Sequence, residues 1–164
     1  MTQAKKAASR CRLEAVVSGG QTGVDRAALD VALELGIPAD GWCPKGRRAE
    51  DGAIPPYYPL READSPDYAQ RTRLNVRDSD GTLILHRGAL SGGTALTLRF
   101  ARELDKPVLT VDLDRPPASE AVHEWLCRHH IRTLNVAGPR ESGSPGIHRK
   151  AACFLKKLLG DQPK

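Results

Sequence analysis

Ala15-Val16-Val17-Ser18-Gly19-Gly20-Gln21-Thr22-Gly23-Val24-Asp25 is the stretch on which the fold reading turns. Its first residues close a brief apolar run, Leu13 to Val17, that suits a buried strand. Beyond the glycines, Val24, Ala27, Ala28, Val31, Ala32 and Leu35 recur at helical spacing. Gly36 and Pro38 then stop the helix in the usual order, glycine just past the end and proline beyond it. The unit is strand, glycine-rich turn, helix.

The same unit recurs downstream. Thr82-Leu83-Ile84-Leu85 is a buried-strand run within Gly81 to His86, followed by Gly88-Ala89-Leu90-Ser91-Gly92-Gly93-Thr94 and an apolar helix to Leu104. Pro107 to Val111 is a further strand. Val122, Trp125, Leu126 and His129 stripe a helix that starts near Ser119. Ile131 to Val136 makes a fifth strand, leading through a loop from Gly138 to Gly146 into an amphipathic helix with Ile147, Ala151, Phe154, Leu155, Leu158 and Leu159 inside. Ile37 to Cys43 is a weaker second strand, interrupted by Pro38 and Gly41. Residues 44–64, rich in proline, read as a long ordered loop, a kind that is usually functional when it interrupts a compact domain. Ser65-Pro66 looks like a cap and first residue of a helix to about Arg77. About five parallel strands flanked by helices make one doubly wound α/β domain over residues 13–160, with expected strand order 2-1-3-4-5. A basic flexible N-terminal tail, residues 1–12, precedes it.

Composition narrows the function classes. At 164 residues, 40% hydrophobic and 27% charged, the chain suits one soluble globular domain. No apolar run is long enough for a membrane-spanning helix, and Met1 to Arg12 lacks the apolar core of a secretory signal. Cys11, Cys43, Cys127 and Cys153 are widely spaced, which suggests reduced thiols in the cytoplasm. The five histidines show no ligand pattern, and Cys127 with His129 and His130 reads as a packed helix end, so no metal site is expected. The formal charge of +5 sits at the ends: residues 1–12 carry +4, residues 149–164 another +4, and the body between them −3. A body of that sign does not point to nucleic acid as partner. Open sheet edges and apolar helices suggest a homo-oligomer, dimer or tetramer.

In a parallel sheet the strand-to-helix loops share the carboxyl edge, so the loops after the first, third and fifth strands converge. First-turn amides of the following helices lack internal partners and carry the positive end of the helix dipole, which makes an anion site, most naturally for phosphate. The candidates are Ser18, Gly19, Gly20, Gln21, Thr22 and Gly23 on the first loop and Ser91, Gly92, Gly93 and Thr94 on the second. Neither loop is a Walker loop, and neither has the Gly-x-Gly-x-x-Gly dinucleotide pattern. Thr22 with Asp25 also reads as a capping box. The long loop adds Lys45, Arg47 and Arg48 as phosphate donors and Trp42 as a surface for a planar ring, or else a solvated charge run around a core tryptophan. Arg71 could reach the rim from its helix. Asp78 and Asp80 read as turn and capping residues. No catalytic residue is fixed; Asp25 and Glu50 are the candidates for acid–base work.

Three segments carry a family resemblance: Ser18 to Asp30, Gly41 to Gly52, and Asp78 to Ile84. They closely resemble the "putative molybdenum carrier" family, also described as a circularly permuted YpsA-like branch of the SLOG Rossmannoid superfamily, over roughly residues 13–158. The resemblance implies a Rossmann-like fold and a site for a nucleotide-derived or otherwise phosphorylated ligand. The carrier name implies molybdenum cofactor, a pterin bearing a phosphate. The superfamily also contains phosphoribohydrolases once called lysine decarboxylases, with the signature Pro-Gly-Gly-x-Gly-Thr-x-x-Glu. Here the nearest match is Ser91-Gly92-Gly93-Thr94-Ala95-Leu96-Thr97, and Thr97 stands in the glutamate's place. A hydrolase would then need Asp25 or Glu50 to supply its carboxylate. A nucleic-acid accessory role through the basic ends is the third alternative.

Overall fold

Ala15–Val17 form β1 and lead into α1 (Val24–Leu35), which ends where Gly36 turns left-handed (φ 69°) and its amide caps the carbonyls of Ala32 and Leu33. The computed structural model describes residues 11–160. Residues 1–10 of the expected tail lie outside the described residues. The chain continues through β2 (Ala39–Asp40), β3 (Trp42–Cys43), β4 (Arg48–Ala49), β5 (Gly52–Ala53), β6 (Arg61–Glu62) and α2 (Tyr68–Arg77). Then come β7 (Gly81–His86), α3 (Gly92–Glu103), β8 (Val108–Asp112), α4 (Ser119–Arg128), β9 (Thr133–Ala137) and α5 (Ile147–Gly160).

Five parallel strands form one sheet in the order β2-β1-β9-β7-β8. Leu83 and Leu85 of β7, Val111 of β8 and Leu134 and Val136 of β9 pack beneath α1, α4 and α5 in the main core. Val76 of α2 and Phe100 and Ala101 of α3 form a smaller cluster with Val108 on the other face. Helices therefore cover both faces, and β7 is buried along Gly81–Leu85, as a two-sided parallel strand must be. Each fully buried leucine in this core contributes about 1.5–3 kcal/mol of transfer free energy.

The order differs from the expected one. The last strand lies at the centre, between β1 and β7, and β8 is the edge. Burial explains the placement: Leu134, Asn135 and Val136 of β9 are buried in succession, whereas β8 buries only Val111, exposes Thr110 and half-buries the rest. The expected second strand splits at Gly41. Ala39–Asp40 pair with β1, while Trp42–Cys43 pair with β6. Gly41 has φ 144°, and a Cβ there would lie 2.0 Å from the Ser18 carbonyl oxygen, so the chain can turn between the two sheets only without a side chain. The stretch read as loop contains β6 and the antiparallel β4–β5 pair. Arg47, itself at φ 52°, braces it by donating to the carbonyls of Ile54 (3.2 Å), Pro55 (2.8 Å), Tyr58 (3.1 Å) and Leu60 (3.3 Å).

Two local expectations also change. Asp67, not Ser65, caps α2: its carboxylate accepts from the Ala69 amide at 3.0 Å, while Ser65 receives the Asp67 amide and donates its own to Gln70. Cys11 and Cys127, expected as reduced thiols, are joined in a disulfide with Cα atoms 5.2 Å apart. The amides of Glu14 and Ala15 donate to the Arg132 carbonyl, which draws the start of the described chain alongside the end of α4. A separation of 116 residues left no trace of that proximity in the cysteine spacing. No described helix is long and apolar enough to cross a membrane.

Candidate ligand-binding site

The loops after β1, β7 and β9 do meet at the carboxyl edge, and they pack tightly. A Cβ on Gly23 would lie 2.3 Å from the Pro139 carbonyl, and one on Gly138 would lie 2.2 Å from that of Leu85. Beside this junction opens a cleft of about 410 Å³. The three loops form one end of it, and α2 and α3 wall the other over the polar face of the sheet, where Asn135 donates to Thr82.

The two glycine-lined entrances differ. At α1 the protein's own groups take most of the amides: Ser18 Oγ receives Gly20 (3.4 Å), the Asp25 carboxylate receives Gln21 (3.3 Å), Gln21 Oε1 receives Thr22 (3.0 Å), and the Pro139 carbonyl receives Val24 (3.2 Å). At α3 the first turn is open. Ser91 makes no side-chain cap, and the amides of Gly92 and Gly93 have no partner among the described residues. Both glycines are exposed, line the cleft, and carry the positive end of a 12-residue helix.

Arg71 and Asp25 form the buried polar wall opposite. Arg71 is 8% exposed; its Nη1 donates to the Gly19 carbonyl at 2.5 Å and lies 3.9 Å from Asp25 Oδ2. A Cβ on Gly19 would fall 2.4 Å from that nitrogen, so a larger residue there would have to displace the Arg71 guanidinium. Burial pushes the Asp25 carboxyl up to about 6, against the opposing pull of the Arg71 charge and the Gln21 amide. Such a group exchanges protons near neutrality.

Of the candidates read from sequence, Gly19, Gln21, Asp25, Arg71, Ser91, Gly92, Gly93 and Thr94 line the cleft. Ser18, Gly20, Thr22 and Gly23 lie behind it, holding the first loop in shape. Thr22 makes no capping box with Asp25; its hydroxyl donates to Glu50 and accepts from the Glu141 amide. Glu50 is also outside the cleft, bound by the Ser142 amide and hydroxyl, and the Ser142 and Thr22 hydroxyls hold its carboxyl below the usual range. Trp42 lies at the end of α2, donating to Asp78 at 2.8 Å beneath the Arg61 guanidinium (4.3 Å), with its backbone clamped by Asn75. Lys45 and Arg48 are exposed away from the cleft, and Arg47 is spent on backbone carbonyls. Asp78 ends α2, and Asp80 accepts the amides of Arg132 and Thr133.

Sequence reasoning did not single out Tyr68, Asn135 or Arg140, which also line the cleft. Asn135 had a usable signal: it is an amide inside an otherwise apolar strand run, next to the loop that closes the sheet edge.

The model of the circularly permutated YpsA SLOG family matches residues 16–159. A solved structure of a "putative molybdenum carrier protein" from Syntrophus aciditrophicus SB is similar at 48% identity, covering 90% of this chain and 95% of that one, with a TM-score of 0.87. A search of curated proteins finds no match.

Proposed function

Because the chain belongs to the circularly permutated YpsA SLOG family, we propose that its cleft binds a phosphorylated, nucleotide-like small molecule, with the phosphate on the first turn of α3. The observation that carries this reading is the open pair of amides at Gly92 and Gly93, facing the cleft at the positive end of the helix. Arg140 on the same rim, whose Nε lies 3.6 Å from the Glu50 carboxylate, adds a partly neutralised charge near the anion. The similar protein's name extends the reading to a molybdenum-bearing cargo. Either the phosphate of a pterin cofactor or molybdate itself presents the oxyanion those amides suit. Isothermal calorimetry against nucleoside monophosphates, pyrophosphate and molybdate tests the reading. A dissociation constant tighter than millimolar for at least one supports it, and uniform silence refutes it.

A second reading, cleavage of the N-glycosidic bond of a nucleotide, rests on Asp25. It is the one candidate acid–base group that lines the cleft, with a carboxyl poised near neutrality. Release of free base, followed by chromatography and lost in Asp25→Asn, supports it; an inert panel of nucleotides removes it. A homo-oligomer belongs to the same proposal. Both outer strands, β2 and β8, have an open edge, and sedimentation at several concentrations measures the assembly.

A further inference from the structure

The wall opposite α3 has a polarity that the phosphate reading does not use. Arg71 and Asp25, 8% and 7% exposed, both line the cleft. Arg71 commits Nη1 to the Gly19 carbonyl and Nε to the Thr72 hydroxyl, leaving Nη2 without a hydrogen bond among the described residues. Asp25 commits Oδ2 to the Gln21 amide and leaves Oδ1 without one. A free donor therefore sits beside a free acceptor, each on a side chain fixed by burial and by its other bonds. Neither atom is sealed from solvent, since among the described residues only the His123 ring nitrogens are both buried and without a partner, so both are open to a ligand that replaces water in the cleft.

This wall disfavours a phosphate. The Asp25 carboxylate would repel it, and the Gln21 amide that could have received it is already taken. A neutral group that accepts from Arg71 and donates to Asp25 satisfies both atoms at once. The surrounding shape favours a flat ring: Tyr68, 38% exposed, lies one helical turn before Arg71 on the same wall, and Leu96 and Thr97 of α3 face it across the groove.

We propose that the cleft selects a heterocycle with a carbonyl next to a ring N–H (a lactam edge, as in oxopurines and oxopterins), read by Arg71 Nη2 and Asp25 Oδ1. This rests on the preceding reading, which places the ligand's phosphate at the α3 end. A 6-aminopurine has an amine and a bare ring nitrogen in those positions. It would set donor against donor at Arg71 and acceptor against acceptor at Asp25.

Calorimetry on the full chain at pH 8 with GMP, AMP, N1-methyl-GMP and ribose 5-phosphate tests this. GMP is expected to bind about tenfold or more tighter than AMP. N1-methyl-GMP, which lacks only the ring N–H, is expected to fall to the AMP level. Asp25→Asn, if its circular dichroism is native, should narrow the GMP preference; the methylated ligand keeps the test decisive if that variant does not fold. AMP binding as tightly as GMP, or ribose 5-phosphate matching it, overturns the lactam assignment and leaves phosphate binding intact. Failure of all four ligands to bind overturns the lactam assignment, and silence of pyrophosphate and molybdate as well overturns both.

Discussion

Replacing Gly93 by aspartate separates anion binding from stability. Gly93 lies in the first turn of α3, and a Cβ built on it meets nothing within 4 Å, so the new side chain fits without moving a neighbour. Removing a helical glycine and placing a carboxylate at the positive end of the dipole should together stabilise the fold by about 0.5–1 kcal/mol. For a chain of this size that is about 1–4 °C in melting temperature. The same carboxylate stands where the ligand's phosphate is proposed. Two unit charges about 6 Å apart at an effective dielectric of about 20 repel by about 3 kcal/mol. Screening at this exposed site reduces that, so a loss of about tenfold to a hundredfold in affinity is expected, shrinking as salt rises. Thermal melts and calorimetry on one preparation measure both quantities. A variant that melts as high as the parent or higher and still binds with unchanged affinity would refute the placement of the anion on α3.

Asp25→Asn probes the buried carboxyl. Its pKa of about 6 lies above the ordinary 3.8, so the folded state holds the proton more tightly than the unfolded chain, and the group's ionisation costs stability as pH rises from about 4 to 6. The difference approaches about 3 kcal/mol above pH 6. Melting curves should therefore show the asparagine variant gaining on the parent across that interval, and parallel curves would contradict the burial argument. Arg47→Ala should speed hydrogen exchange across residues 44–60, whose carbonyls Arg47 braces, while ligand affinity changes by less than about twofold; a tenfold loss would return Arg47 to the binding surface. Cys127→Ser removes a cross-link over 116 residues and should cost about 2–4 kcal/mol in denaturant unfolding, a loss that reductant should reproduce in the parent.

The elements legible in the sequence are those whose signal is local. The stop at Gly36, the buried run of β7 and the apolar stripe of α5 each lie within a dozen or so residues. Convergence of the three loops followed from parallel geometry alone. Strand order did not, because it depends on partners far along the chain: β9 fits beside both β1 and β7 through the burial of Leu134, Asn135 and Val136, a tertiary fact. The site was half legible for a related reason. A glycine-rich turn shows where amides can face a ligand, but not which of them the protein fills itself. Ser18, Gln21 and Asp25 fill one entrance, while Ser91 leaves the other open. The cations of the long loop misled because charge is visible in sequence and direction is not; Arg47 turns inward to carbonyls.

The central position of β9 has a consequence for synthesis. A chain leaving the ribosome offers β1 and β2 first, then β7 and β8, as two separate ribbons with nothing between them. Residues 133–137 join the ribbons, and they emerge after about four-fifths of the chain. Until then the half-made protein has two unmated inner borders that invite the wrong neighbour. Vectorial production is therefore the period of greatest aggregation hazard, and it ends when the keystone strand slides into place.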